Sequence, residues 1–172
     1  EISENKSYGL HIGEFNGDRS WTYETYVEKI TNNKINSNGG YGLQVAGWHR
    51  APLEIKGNEI KNNKGDGCGF HGVSDNNLIF EENVIENNEG QGGYFGNLRA
   101  NVLIQNNVIK NNHYSGIYVG KDNEDRSTEI VIKNNEVSGN KRNNETRDEN
   151  GITLYYKSSA TAQITGNTVE DG

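Results

Sequence analysis

The sequence predicts an all-β fold: a right-handed parallel β-helix solenoid of about six to seven coils, with about 25 residues and three short strands per coil. Three observations predict it. A short apolar-Asn-apolar motif recurs at near-constant spacing, apolar residues alternate with period two inside each copy, and Asn or Gly separates the alternating stretches.

The motif is anchored on Asn33, Asn58, Asn83, Asn107, Asn135 and Asn167, at intervals of 25, 25, 24, 28 and 32 residues. Three residues before each anchor stand Ile30, Ile55, Phe80, Ile104, Ile132 and Ile164, which form a first strand. Two residues after it stand Ile35, Ile60, Ile85, Ile109, Val137 and Val169, which form a second. A Gly nine positions on (Gly42, Gly67, Gly92, Gly116) opens a third. Its inward pairs read Leu43/Val45, Cys68/Phe70, Gly93/Phe95, Ile117/Val119 and Ile152/Leu154. Such a unit cannot bury its apolar face alone, so copies must stack at the ~4.8 Å spacing of neighbouring strands. The usual crossover between parallel strands makes the coil right-handed.

The polar columns have roles in this scheme. The anchor Asn, and a second Asn at plus five (Asn38, Asn63, Asn88, Asn112, Asn140), are expected to take the left-handed conformation of sharp bends. They are also expected to hydrogen-bond to their counterparts one coil away. The Gly column is expected to mark a bend with positive φ. Lys61, Glu86 and Lys110, and likewise Lys56 and Glu81, place opposite charges on neighbouring coils and face solvent. Cys68 faces inward as a small hydrophobe.

Composition excludes several classes. A chain of 172 residues suits one domain, yet only 31% is hydrophobic and the mean hydropathy is -0.92. No apolar run approaches the ~20 residues of a membrane-spanning helix. One Cys forms no internal disulfide, and no Cys/His cluster suggests zinc. A net charge of -7 argues against a nucleic-acid backbone as partner. Residue 1 enters mid-coil, with Ile2, Asn5 and Gly9 in register, and the chain stops just after Val169 without a capping element. Residues 1–172 are therefore expected to be one β-helix domain joined at both ends to the rest of a longer chain.

One arc of the coil gathers the candidate chemistry. All nine Tyr and both Trp lie between position plus seven and the turn after the third strand. Alternation gives a first outward column of His11, Gln44, Gly69, Tyr94, Tyr118 and Thr153, and a second of Gly13, Ala46, His71, Gly96, Gly120 and Tyr155. The small residues are expected to leave an open floor, with the rings offering stacking surface and hydrogen bonds to a saccharide. Trp48, His49 and Arg50 would wall it. Insertions after Ile12, Val119 and Asn140 lengthen the same side. Their acids (Asp122, Glu124 and Asp125, or Asp148 and Glu149) are candidate ligands for Ca²⁺.

The repeats IKGNEIKNNKGDGCGF and IQNNVIKNNHYSGIYV resemble those of right-handed parallel β-helix carbohydrate-active proteins. These include polysaccharide lyases, mannuronan C-5 epimerases and surface proteins without known catalysis. Tyr41-Gly42 and Asp66-Gly67, each opening a strand, are similar to the epimerases, but their Asp-Pro-His signature is absent and the single proline is Pro52. The resemblance implies an extracellular or cell-surface protein that binds an acidic polysaccharide along the aromatic face, and cleaves it by β-elimination or epimerises it. A lyase would need a base for the C5 proton, here His71, Tyr94 or Tyr118, and a cation against the carboxylate, here Arg50, Arg99 or Ca²⁺. His11, Gln44, Trp48, His49, Tyr155 and the two arginines would bind the chain. The paired acids of a glycosidase, ~5–10 Å apart, are missing from the outward columns. The alternative is a noncatalytic module of a surface or fibre protein that binds glycan or is purely structural.

Overall fold

The computed structural model describes residues 1–13, 24–25, 29–49, 52–74, 77–121, 128–140, 151–156 and 160–170. Every secondary-structure element among them is a strand, and the strands form three parallel sheets. The first-strand sheet stacks Lys29–Thr31, Leu53–Lys56, Leu78–Glu81, Val102–Gln105, Thr128–Lys133 and Ala160–Thr165. The second-strand sheet stacks Ile2–Ser3, Lys34–Asn36, Glu59–Lys61, Val84–Glu86, Val108–Lys110, Glu136–Ser138 and Thr168–Glu170. The third stacks Leu10–Ile12, Leu43–His49, Cys68–Ser74, Gly93–Gly96, Ile117–Lys121 and Ile152–Tyr156, with Glu24–Thr25 added beside Leu43–His49.

Register follows the repeat. Phe80 pairs with Ile55 and Ile104, and Ile85 with Ile60 and Ile109. Alternation sends these side chains inward, where Ile35, Ile55, Ile60, Ile85, Ile104 and Ile109 are all fully enclosed. Each contributes about 1.5–3 kcal/mol by leaving water. At the centre Phe70 stacks on Phe95 at 5.0 Å and Phe80 meets both edge-on. The three rings fit together across two neighbouring coils because their inward neighbours are small. A Cβ on Gly93 would come within 2.8 Å of the Phe95 ring, and Cys68 is fully buried with its thiol pushed well up by burial. On the outer faces Lys56 pairs with Glu81 at 2.7 Å and Lys61 with Glu86 at 3.2 Å.

The Asn columns do one of their two expected jobs. They run inside the corners as two continuous hydrogen-bond ladders, Asn33-Asn58-Asn83-Asn107-Asn135-Asn167 and Asn5-Asn38-Asn63-Asn88-Asn112-Asn140. The bend itself sits one residue earlier. Left-handed backbone is found at Asn32, Gly57, Glu82, Asn106, Asn134 and Gly166, and at Glu4, Ser37, Asn62, Asn87, Asn111 and Gly139. The ladder Asn are not among these residues.

The Gly column is also corrected. Gly42, Gly67, Gly92 and Gly116 do not have positive φ. They are glycine because the next coil is too close: a Cβ on Gly42 would lie 2.5 Å from Ile60 Cγ2 and 2.8 Å from the Gly67 carbonyl oxygen. The same clash repeats at the other three.

Candidate functional site

The third sheet presents the two outward columns that alternation predicts. His11, Gln44, Gly69, Tyr94, Tyr118 and Thr153 align in the first, and Ala46, His71, Gly96, Gly120 and Tyr155 in the second. A further column stands just before the Gly positions. Backbone bonds from Gly9 to Tyr41, Gly42 to Asp66, Gly67 to Gln91 and Gly92 to Ser115 align Tyr8, Tyr41, Asp66, Gln91 and Ser115.

The expected open floor is filled. Coils that carry a ring in one outward column carry a small residue in the other, and rings lie over the small positions. A Cβ on Gly96 would be 2.3 Å from the Tyr94 ring, and one on Gly120 2.7 Å from the Tyr118 ring. A Cβ on Gly69 would meet His71 Nε2 at 3.3 Å and the edge of Tyr41 at 4.0 Å. The result is a continuous aromatic strip along the stack. Tyr8 stacks on His11 at 5.1 Å and lies 5.7 Å from Tyr41, which lies 6.3 Å from His71. His71 is 4.9 Å from Tyr94, and Tyr94 stacks on Tyr118 at 5.3 Å and 8°.

Polar groups border the rings. Asp66 Oδ1 accepts the Gln91 backbone N–H at 2.8 Å, and among the described residues Oδ2 has no hydrogen-bond partner and is not among the enclosed atoms. Burial pushes the Asp66 carboxyl up to about 6. Burial also raises the Tyr41 hydroxyl, helped by Asp66, Tyr8 and Tyr94. The Gln91 amide oxygen is enclosed without a donor, which leaves its Nε2 as the outward end. His71 Nε2 is likewise enclosed without a partner, and burial lowers the imidazole below its ordinary value, so the ring is neutral and Nδ1 is the nitrogen facing solvent.

Residues 14–172 match the family described as the right handed beta helix region. The chain belongs to the right-handed β-helix family. None of the curated proteins and none of the solved structures matches it.

The β-helix brings His11, His71, Tyr94 and Tyr118 of the sequence-derived candidates into one strip. Gln44 stands in the same column but is buried, its Oε1 bonded to His11 Nδ1 at 2.9 Å. Thr153 is similarly occupied, with Ser115 Oγ at 3.1 Å. Tyr155 is 49% exposed on the last described third-sheet strand. Arg99 lies in the connection after Gly93–Gly96, outside the three columns. Trp48 and His49 pair through their backbones with Glu24 and Thr25, and their side chains lie outside the described structure. Arg50 and the calcium candidates Asp122, Glu124, Asp125, Asp148 and Glu149 lie outside the described residues. Among the described residues no three His, Cys, Asp or Glu side chains converge as a metal site would require.

Sequence reasoning missed the Tyr8-Tyr41-Asp66-Gln91 column as part of the site. Its signal was present in the residue before each column Gly, at Tyr41-Gly42 and Asp66-Gly67.

Asp66 yields a pH prediction. Its folded-state carboxyl titrates near 6, above the ordinary 3.8, so its ionisation weakens the fold. The penalty is absent below about pH 4, grows as pH rises and is complete above the folded value. Asp66→Asn keeps an acceptor for Gln91 and removes the charge. The variant is expected to be more stable than the parent by on the order of 3 kcal/mol at neutral pH, and equal to it near pH 4. Urea midpoints measured across this range check it, and a parallel pair of curves would contradict it.

Proposed function

We propose that this β-helix binds an extended saccharide along its aromatic strip and does not cleave it. The observation that carries this reading is the continuous row His11-Tyr8-Tyr41-His71-Tyr94-Tyr118. Coils repeat at ~4.8 Å, close to the length of one sugar unit, so successive units meet successive rings in register. Ring faces and edges pack against sugar C–H groups, and Asp66, Gln91 and the Tyr hydroxyls serve the hydroxyls. A location outside the cell or on its surface fits such a ligand.

The site chemistry favours binding over cleavage. Elimination from a uronate needs a cation against the carboxylate as well as a base, and the described columns of the strip hold no Lys or Arg. Hydrolysis needs two acids, and the described columns hold Asp66 alone.

Tyr94→Ala is expected to weaken oligosaccharide binding by about 1 kcal/mol, roughly fivefold, since an aromatic contact is lost. No unsaturated-sugar absorbance should develop in parent or variant. Calorimetric titration against a glycan panel measures the first, and a spectrophotometric assay the second. A parent protein that generates unsaturated product, or a Tyr94→Ala protein with unchanged affinity, overturns this reading.

A further inference from the structure

We infer that the saccharide held by the strip is uncharged, that Asp66 anchors it by accepting its hydroxyl protons, and that uronate chains are rejected there. This rests on the strip being the glycan site.

The columns set the sign of the site. Among the described side chains of Tyr8, Tyr41, Asp66, Gln91 and Ser115 and of the two outward columns, Asp66 is the one formal charge. His71 in the middle of the row is neutral, as its burial requires. The nearest basic position on the preceding turn, Lys64, is engaged by Glu89 of the next coil. A carboxylate brought onto the rings would therefore meet a like charge with no described cation beside it, on a chain whose net charge is -7.

The same carboxylate suits a polyol. An ionised Asp is an acceptor with no donor of its own. Asp66 spends Oδ1 on the Gln91 N–H, and no described residue engages its half-buried Oδ2. It stands in line between Tyr41 and Gln91, whose ring and amide are neutral. A hydroxyl donated to Asp66 Oδ2 forms a charge-assisted bond, about twice as strong as a neutral one. That gain is available to every neutral sugar and is offset in a uronate by repulsion between the two carboxylates.

The test titrates the whole chain at neutral pH and low salt with two sets of linear hexasaccharides: β-1,4-linked glucose, xylose and mannose, and galacturonate and mannuronate. At least one neutral hexamer is expected to bind more than about tenfold tighter than either uronate hexamer. Asp66→Asn should shrink that ratio by about tenfold, lowering neutral affinity and raising uronate affinity. Urea unfolding of the variant confirms that it is folded. A uronate that binds more tightly than every neutral hexamer overturns this inference and leaves the glycan site standing, and so does a ratio unmoved by Asp66→Asn. Absence of binding by all the hexamers overturns the glycan site and this inference together.

Discussion

Replacing Ile104 by Asp is expected to abolish cooperative folding. Ile104 lies in the central strand Val102–Gln105, fully enclosed, with Phe80 in register on one side and Ile132 on the other. Its carbonyl accepts the Asn135 side-chain N–H at 3.0 Å, so its backbone is pinned to the ladder and cannot swing the side chain out. A buried, unpaired carboxylate costs several kcal/mol, and even the protonated acid lacks a partner there. Domain stabilities of about 5–15 kcal/mol leave little after such a loss. Ile104→Val keeps the shape and should lose only about 0.5–1.5 kcal/mol. Circular dichroism with urea titration of both variants decides the matter. An Asp variant that melts like the parent would mean that the inward register is misassigned.

Asn83→Leu is expected to remove on the order of 4 kcal/mol despite its similar size, because four buried hydrogen bonds are lost at about 1 kcal/mol each. The Asn83 amide donates to the Ile55 carbonyl at 2.9 Å and to Asn107 Oδ1 at 3.0 Å. Its own Oδ1 accepts the backbone N–H and the side-chain N–H of Asn58, both at 3.0 Å. Leucine replaces none of the four, and water cannot, since Asn58, Asn83 and Asn107 are each 1% exposed; Asn107 Oδ1 keeps the Asn83 backbone N–H and the Asn58 amide keeps the Ile30 carbonyl. Asn83→Asp keeps the acceptor but loses both donors and adds a charge, so it should be no better than Leu. A loss below about 1 kcal/mol for Asn83→Leu would show that the ladder is replaceable by packing.

The register of coils was legible in the sequence because burial is a strict test: a strand slipped by one residue would turn Ile85 out and Glu86 in. The reasons behind the polar columns were less legible. Asn recurs at the ladder because that position requires a donor and an acceptor on one short side chain. The bend before it demands only a left-handed backbone, which Glu82 and Ser37 adopt at a cost of about 1–2 kcal/mol. The more demanding position therefore shows the cleaner column, and in the sequence it stands out as if it served both tasks.

Contacts between coils explain the other misses. Nothing near Gly42 in the chain reports that Ile60 lies 2.5 Å from where its Cβ would be. Likewise the pairing of Tyr94 with Gly96 reads as an open groove until the ring is seen lying on the glycine. Asp66 was visible as half of an Asp-Gly step, but its place beside Tyr41 depends on stacking across coils.

The Asn ladders give the stack an electrical direction. Each ladder amide turns its oxygen toward the preceding coil and an N–H toward the following one, as Asn58 does between Asn33 and Asn83. The strands lie across the axis, and their peptide dipoles alternate along it and largely cancel. The side-chain amides do not cancel, and each polarises the next. The end with Asn5 and Asn33 is accordingly the negative pole of the rod, and the end with Asn140 and Asn167 the positive one. A coil inserted upside down would set amide oxygen against amide oxygen at both corners, so coils of this kind add in one sense only.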